Sequence, residues 1–327
     1  MTTHEQFTST FSLMQGMSVQ HLRLTVIAKG TIQFSDQPGS AIRGALYHAL
    51  ANHFCSASFQ KVTAEHVEHC PVCWLMAMED PENQRGRDVT RPLTVQPPEK
   101  TEYRRDEVMT FGLSLMGKAR SIMPYLVRAI EWMGKAGLGR YRGQFKLMSV
   151  HEFSPLFDVE RLLMDGITVQ TPTLAVTPSH IREIAHTLPT DKITLQFRTP
   201  TRLTAEGKLV KQATPTVMMN RLLERCQNLV THYAETDDIP NNDTWKLNAI
   251  RMTELAQHLH IAYSELEWVD VFSGSKRQGR MTPISGFVGI VRWEGDISSL
   301  REWLLWGQSL HVGKDAVKGN GYYRVMN

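Results

Sequence analysis

The sequence predicts an α+β fold of two tandem ferredoxin-like domains, each ordered β-α-β-β-α-β, with a glycine-rich loop close to the C-terminus. Two alternating strands, Phe111-Gly-Leu-Ser-Leu-Met-Gly117 and Phe287-Val-Gly-Ile-Val-Arg-Trp-Glu-Gly295, carry the prediction. Each precedes an amphipathic helix (Tyr125 to Met133, Leu300 to Trp306) and then a Gly/Lys loop. The copies are offset by roughly 175 residues, too far for a solenoid and right for a duplicated domain. A length of 327 residues, with 42% hydrophobic and 21% charged residues, suits two globular domains.

The elements follow in order. His21 to Phe34 alternates apolar and polar and predicts a first strand. Pro38-Gly39-Ser40 supplies a turn, with Ser40 as N-cap of a helix over Ala41 to Phe54. A His- and Glu-rich loop through Cys70 and Cys73 follows, then strands over Arg91 to Pro97 and Asp106 to Met116. A helix over Ile122 to Met133, a glycine loop and a strand over Gln144 to His151 close the first domain, residues 1–160. Four prolines between Ser154 and Pro189 mark the boundary. The second domain, residues 185–327, has strands over Ile193 to Leu203, Tyr263 to Phe272, Met281 to Trp293 and Tyr322 to Val325. Its helices cover Pro215 to Tyr233, Asp243 to His258 and Ser298 to Leu310. Trp268, Trp293, Trp303 and Trp306 fall at core spacing.

Charge and motif narrow the function. The net charge is only +3, but Val108 to Val150 holds seven Lys/Arg and one acid, and Val271 to Trp293 four and none. Glu224 to Asp270 runs the other way, nine acids to three bases. Segregated basic segments suit an anionic, extended partner, although solvated faces are often one-signed too. The terminal run His311-Val-Gly-Lys-Asp-Ala-Val-Lys-Gly-Asn-Gly-Tyr-Tyr-Arg-Val325 places three glycines and two lysines between helix and strand. Such glycines let the backbone approach something bulky, and lysines beside exposed N–H groups make that partner anionic, phosphate above all. The spacing is neither a P-loop nor a dinucleotide fingerprint. With no leader pattern or apolar run of membrane length, the expected location is cytoplasmic, with no membrane partner. Cys55, Cys70, Cys73 and Cys226 are not spaced as a disulfide framework. Cys55, Cys70 and Cys73 with His66 and His69 have the residue types of a zinc site. The second close pair typical of such sites is missing, so no metal is assigned and the cysteines are read as reduced.

Gly39-Ser-Ala-Ile-Arg-Gly-Ala-Leu46, Gly137-Leu-Gly-Arg-Tyr-Arg-Gly143 and Phe272-Ser-Gly-Ser-Lys-Arg-Gln-Gly-Arg-Met281 form an ordered set with later segments. Those are Ile284-Ser-Gly-Phe-Val-Gly289, Leu310-His-Val-Gly-Lys314 and Gly319-Asn-Gly-Tyr-Tyr-Arg324. The set resembles the RAMP superfamily of CRISPR systems, and within it the pre-crRNA processing endoribonucleases. The terminal loop has less glycine than that family often carries. The resemblance implies an RRM-like variant of the fold and metal-independent cleavage within CRISPR repeat RNA. In that reaction the ribose 2′-OH attacks the adjacent phosphodiester, leaving 2′,3′-cyclic phosphate and 5′-OH ends, with no cofactor. It implies repeat RNA as partner, with other CRISPR effector subunits as further partners. The alternative is a non-catalytic RAMP subunit that holds guide RNA. A general RNA-binding protein is disfavoured, since no aromatic R-G-F-x-F-type strand is present.

Such chemistry needs a base, an acid and a cation for the crowded phosphorane. The family's acid–base histidine lies in or near the first helix. There Ile42, Ala45, Leu46, Ala49 and Leu50 form an apolar stripe, with His53 inside it, while Tyr47, His48 and Ala51 lie opposite and Arg43 at the margin. His48 is therefore the first candidate and Tyr47 its neighbour for orienting phosphate. His311, where a helix meets the glycine loop, is the rival for that role; its alternative reading is a helix C-cap. Arg43, Arg140, Arg142, Lys276, Arg277, Arg280, Lys314, Lys318 and Asn320 are the candidate RNA contacts.

Overall fold

The computed structural model describes residues 9–57, 63–78, 89–166, 168, 170–275 and 280–326. In the first domain, strand β1 (Val19–Ala28) leads to helix α1 (Pro38–Phe54), short helices α2 (Ala64–His69) and α3 (Pro71–Ala77), and strand β2 (Leu93–Gln96). Strand β3 (Val108–Met116), helix α4 (Met123–Ala136), and strands β4 (Phe145–Ser154) and β5 (Val159–Met164) follow. The antiparallel sheet has the order β2-β3-β1-β4-β5, the ferredoxin-like order with β5 added at one edge. In register, Leu24 lies between Phe111 and Val150. Leu22, Leu24, Val26 and Ala28 alternate inward and pack under α1 and α4.

The second domain repeats the plan. Strand β6 (Lys192–Thr201), helices α5 (Pro215–Tyr233) and α6 (Asn242–Gln257), and strands β7 (His260–Val269) and β8 (Gly286–Glu294) precede helix α7 (Arg301–Leu310) and strand β9 (Tyr323–Met326). The order β7-β8-β6-β9 is again ferredoxin-like. Trp293, Trp303 and Trp306 are fully buried, as their spacing predicted. Trp268 is only half-buried, with the Lys211 ammonium 5.4 Å from its ring.

Several local expectations are corrected. The run read as one strand to Phe34 ends at Ala28; after Lys29-Gly30 the chain turns, and Ile32–Gln33 pairs separately with Glu102–Tyr103. Helix α1 begins at Pro38 and not after Ser40, because proline suits the first helical turn, whose N–H has no helical partner. The segment read as a loop through Cys70 and Cys73 holds α2 and α3. The run Met281 to Trp293 breaks at Ile284-Ser285, where Val271 N–H donates to Ser285 Oγ (3.1 Å). The proline-rich stretch between the domains carries β5 and a helix, Pro178–Thr187. Among the described residues, no helix is long and apolar enough to cross a membrane.

A continuous interface joins the domains. Buried His21 of β1 bonds Ser114 Oγ (2.8 Å) and, across the interface, Ser309 Oγ of α7 (3.2 Å). Gly117 lies against the Tyr233 carbonyl, where a Cβ would come within 1.9 Å. Arg120 bridges Ser18 (2.7 Å) and Glu235 (3.1 Å). Buried Glu152 accepts from Gln20 and from the Thr173 and Leu174 N–H groups, fixing the chain that crosses to the second domain.

Candidate nucleic-acid interface

Both glycine loops close on the same short stretch, residues 33–39, which leads into α1. From the first domain, Arg140 N–H donates to Gln33 O (2.7 Å), and a Cβ on Gly139 would sit 2.3 Å from that oxygen. From the second, the terminal loop reaches α1 itself: a Cβ on Gly39 would lie 2.0 Å from Lys318 O. Gln37 Nε2 donates to Asn320 Oδ1 (3.3 Å), while Asn320 Nδ2 donates to Ile284 O (3.0 Å). Gly319 in turn lies against Val95 O and Pro97.

The bulky partner that these glycines accommodate is therefore the protein's own backbone. The loop's N–H groups are largely spent internally: Val312 on Gly321 O, Lys314 on Arg202 O, Lys318 on Asp315 O and Gly321 on Pro200 O. Tyr322 N–H donates to Thr199 Oγ1. Gly313, Gly319 and Gly321 all have positive φ, which permits this tight path. The phosphate-cradling role expected of the loop backbone is corrected to a docking role.

Three predicted contacts turn inward with it. His311 is 3% exposed, caps α7 at φ +64° and bonds Asn320 O through Nδ1 (3.1 Å). Burial, reinforced by the nearby Arg225 guanidinium, lowers its pKa to about 3. It is a neutral imidazole sealed inside the interface, which corrects its reading as a proton-transfer residue and matches the C-cap alternative. Asn320 is 1% exposed and holds the loop rather than offering an amide to RNA. Lys318 is half-buried and paired with Asp315 (2.8 Å). Lys314 is exposed.

The outer face of α1 differs. His48 is exposed, and Tyr47 and Arg43 are half-buried beside it. The Arg43 guanidinium lies 5.7 Å from the Tyr47 ring, whose centroid is 6.0 Å from that of His48. One helical turn before His48 stands Gly44, and a Cβ added there would meet nothing within 4 Å. Ser40, Gly44 and His48, at i, i+4 and i+8, share this side of the helix, with open space over Gly44. Ala51, placed on this side from sequence, is buried. His53 is exposed and stacked on Trp132 at 3.6 Å, so the apolar stripe is narrower at that end than its spacing predicted.

A basic ledge borders the lead-in to α1. Arg140, Tyr141 and Arg142 are exposed on the first glycine loop, with the Arg140 guanidinium 5.7 Å from the Tyr141 ring. Tyr141 and Arg142 line a shallow groove with Lys29 and Gln144, and Lys146 is exposed nearby on β4. Tyr141 went unassigned from sequence; the signal was an aromatic between two arginines in a tight loop. Gly44 was missed because one glycine inside a helix has no periodicity. Lys276 and Arg277, and the Arg280 side chain, lie outside the described residues.

Residues 17–174 match a family described only as an N-terminal domain, and residues 195–323 match the CRISPR-associated endoribonuclease Cas6. The Cas6 match spans most of the C-terminal domain. The family matched is the one that the sequence motifs resemble. Solved Cas6 structures share the fold. Cas6 from Thermus thermophilus superposes with a TM-score of 0.55 at 14% identity, covering 95% of this chain and 99% of that one. A Cas6 product complex gives 0.59 at 16%, covering 94% and 99%. A chain of a partial Cas6-RT-Cas1–Cas2 complex gives 0.56 at 17%, with 96% of this chain covering 47% of that one. No curated protein matches this chain.

Proposed function

We propose that this protein cleaves within CRISPR repeat RNA by attack of a ribose 2′-OH on the adjacent phosphodiester, with His48 transferring the proton. The Cas6 match supports repeat-RNA processing, and exposed His48 with half-buried Tyr47 and Arg43 beside it carries the choice of site. An imidazole with solvent access can take the 2′-OH proton or give one to the departing 5′-oxygen. The Arg43 guanidinium supplies the cation beside a developing phosphorane, and the Tyr47 hydroxyl orients a phosphate oxygen. Cleavage then leaves 2′,3′-cyclic phosphate and 5′-OH ends. No metal is asked to activate a nucleophile, because the ribose provides it.

The docked loop supports this reading. It holds the N-terminus of α1 against the second domain, and Gly39 lies roughly 13 Å along the helix axis from His48 at 1.5 Å per residue. RNA lying on the Arg140–Arg142 ledge and along the Ser40–Gly44 strip is led to His48. The test is single-turnover cleavage of a CRISPR repeat RNA in EDTA with magnesium omitted. A single cut with a cyclic-phosphate end is expected. A requirement for magnesium overturns the mechanism, and tight binding without any cut identifies a guide-holding subunit instead.

A further inference from the structure

Away from this interface, four side chains from separate segments meet at the C-terminal end of α1. Cys55 caps α1, His66 lies on α2, Cys70 joins α2 to α3, and Cys73 is in the first turn of α3. Their ligand atoms all lie within 4.8 Å of one another. Cys55 Sγ is 3.3 Å from His66 Nε2 and 3.6 Å from Cys73 Sγ. None of these cysteines is in a disulfide. A tetrahedral zinc with Zn–S of about 2.3 Å and Zn–N of about 2.0 Å has edges of roughly 3.5–3.8 Å, so the cluster is already near the size it would need. His69 is not among the converging ligand atoms; its Nδ1 bonds Glu65 O (2.9 Å).

Apolar packing holds α2 only lightly. No residue of the helix is fully buried and Val67 packs partly buried against the core, yet the helix presents His66 to three thiols. Thr63 caps the helix, its Oγ1 accepting from the His66 N–H (3.2 Å), and so sets the backbone from which the ring projects. Three sulfurs and one imidazole are a soft donor set that suits zinc over magnesium or calcium, and four protein ligands leave no open position for substrate.

We propose that Cys55, His66, Cys70 and Cys73 bind one zinc ion as a structural Cys3His site. Binding replaces up to three S–H protons, which leave to solvent, while neutral His66 coordinates through Nε2. The ion fastens the end of α1 to α3, whose Trp74 packs edge-on against Tyr233 of the second domain (5.3 Å). It thereby braces the helix that carries His48 from its far end.

The test uses the full chain, purified after expression with zinc, and needs no RNA. Metal analysis should give about one zinc per chain, and cobalt(II) substitution should give the intense d–d bands and sulfur-to-metal charge transfer of tetrahedral thiolate coordination. Cys55→Ser and His66→Ala should each weaken zinc binding about tenfold or more, whereas His69→Ala should retain it. Cobalt titration of the wild-type chain decides the matter if a variant fails to fold. Wild-type protein that takes up no zinc, or Cys55→Ser and His66→Ala variants that bind it undiminished, overturns the proposal.

Discussion

His48 and Gly44 illustrate how much one residue of α1 can report. His48→Ala should lower the single-turnover cleavage rate about a hundredfold or more, the usual loss for a general acid or base. RNA affinity should hardly change, since one imidazole adds little to the salt-dependent phosphate attraction. Full-rate cleavage by this variant would move the chemistry elsewhere. Gly44 gives a second, opposite-signed observable. It lies inside a helix with open space where a Cβ would go, so Gly44→Ala should stabilise the fold by about 0.5–1 kcal/mol in denaturant unfolding. If the Ser40–Gly44 strip receives RNA, the same methyl should weaken repeat binding. A variant that is more stable and binds equally well would leave the strip without a function.

At the scale of elements, α1 and the terminal loop are one unit. Gly39 and Gly44 share a helix, yet a Cβ on Gly39 would strike the Lys318 carbonyl. Gly39→Ala should therefore cost about 1–3 kcal/mol, the range for overpacking, and should slow cleavage by displacing α1 from the loop. Chemical denaturation and single-turnover rates check it; a neutral substitution would show that the loop is not held there. The first glycine loop is a different case, because its side chains face solvent. Replacing Arg140 and Arg142 together by Ala should weaken RNA binding and flatten the salt dependence, by about 0.7 in log–log slope for each lost contact to single-stranded RNA. Cleavage at saturating protein should remain near normal. An unchanged slope would remove the ledge from the interface.

Across the whole molecule, the domain interface is sensitive to acid. Burial lowers the His21 pKa to about 3, and burial with the Arg225 charge does the same for His311. Both folded values lie below the unfolded value near 6.5, so the unfolded chain binds the protons first. Their contribution is present above pH 6.5 and is lost as pH falls from there towards 3. The slope is about 1.4 kcal/mol per pH unit for each imidazole. Urea unfolding should show stability falling between pH 6.5 and 5, above the range where carboxylates titrate. His21→Gln should shallow that slope, and a flat profile in the wild-type chain would contradict the buried, neutral assignment.

The sequence by itself determined the duplicated β-α-β-β-α-β plan, the burial of Ile42, Leu46, Ala49 and Leu50 on α1, the burial of Trp293, Trp303 and Trp306, and the family resemblance. These rest on local period and short ordered motifs, which neighbouring residues encode together. Tertiary structure decided what contacts distant in the chain decide. It turned His311 and Asn320 into interface residues, because burial depends on what the other domain places over them. It set Gly319 of the terminal loop against the Val95 carbonyl, and Gly39 of α1 against the Lys318 carbonyl, each pair more than two hundred residues apart in the chain. Cys55 and His66 likewise joined Cys70 and Cys73 only when α2 folded back on α1, since spacing alone shows one close pair and says nothing of convergence.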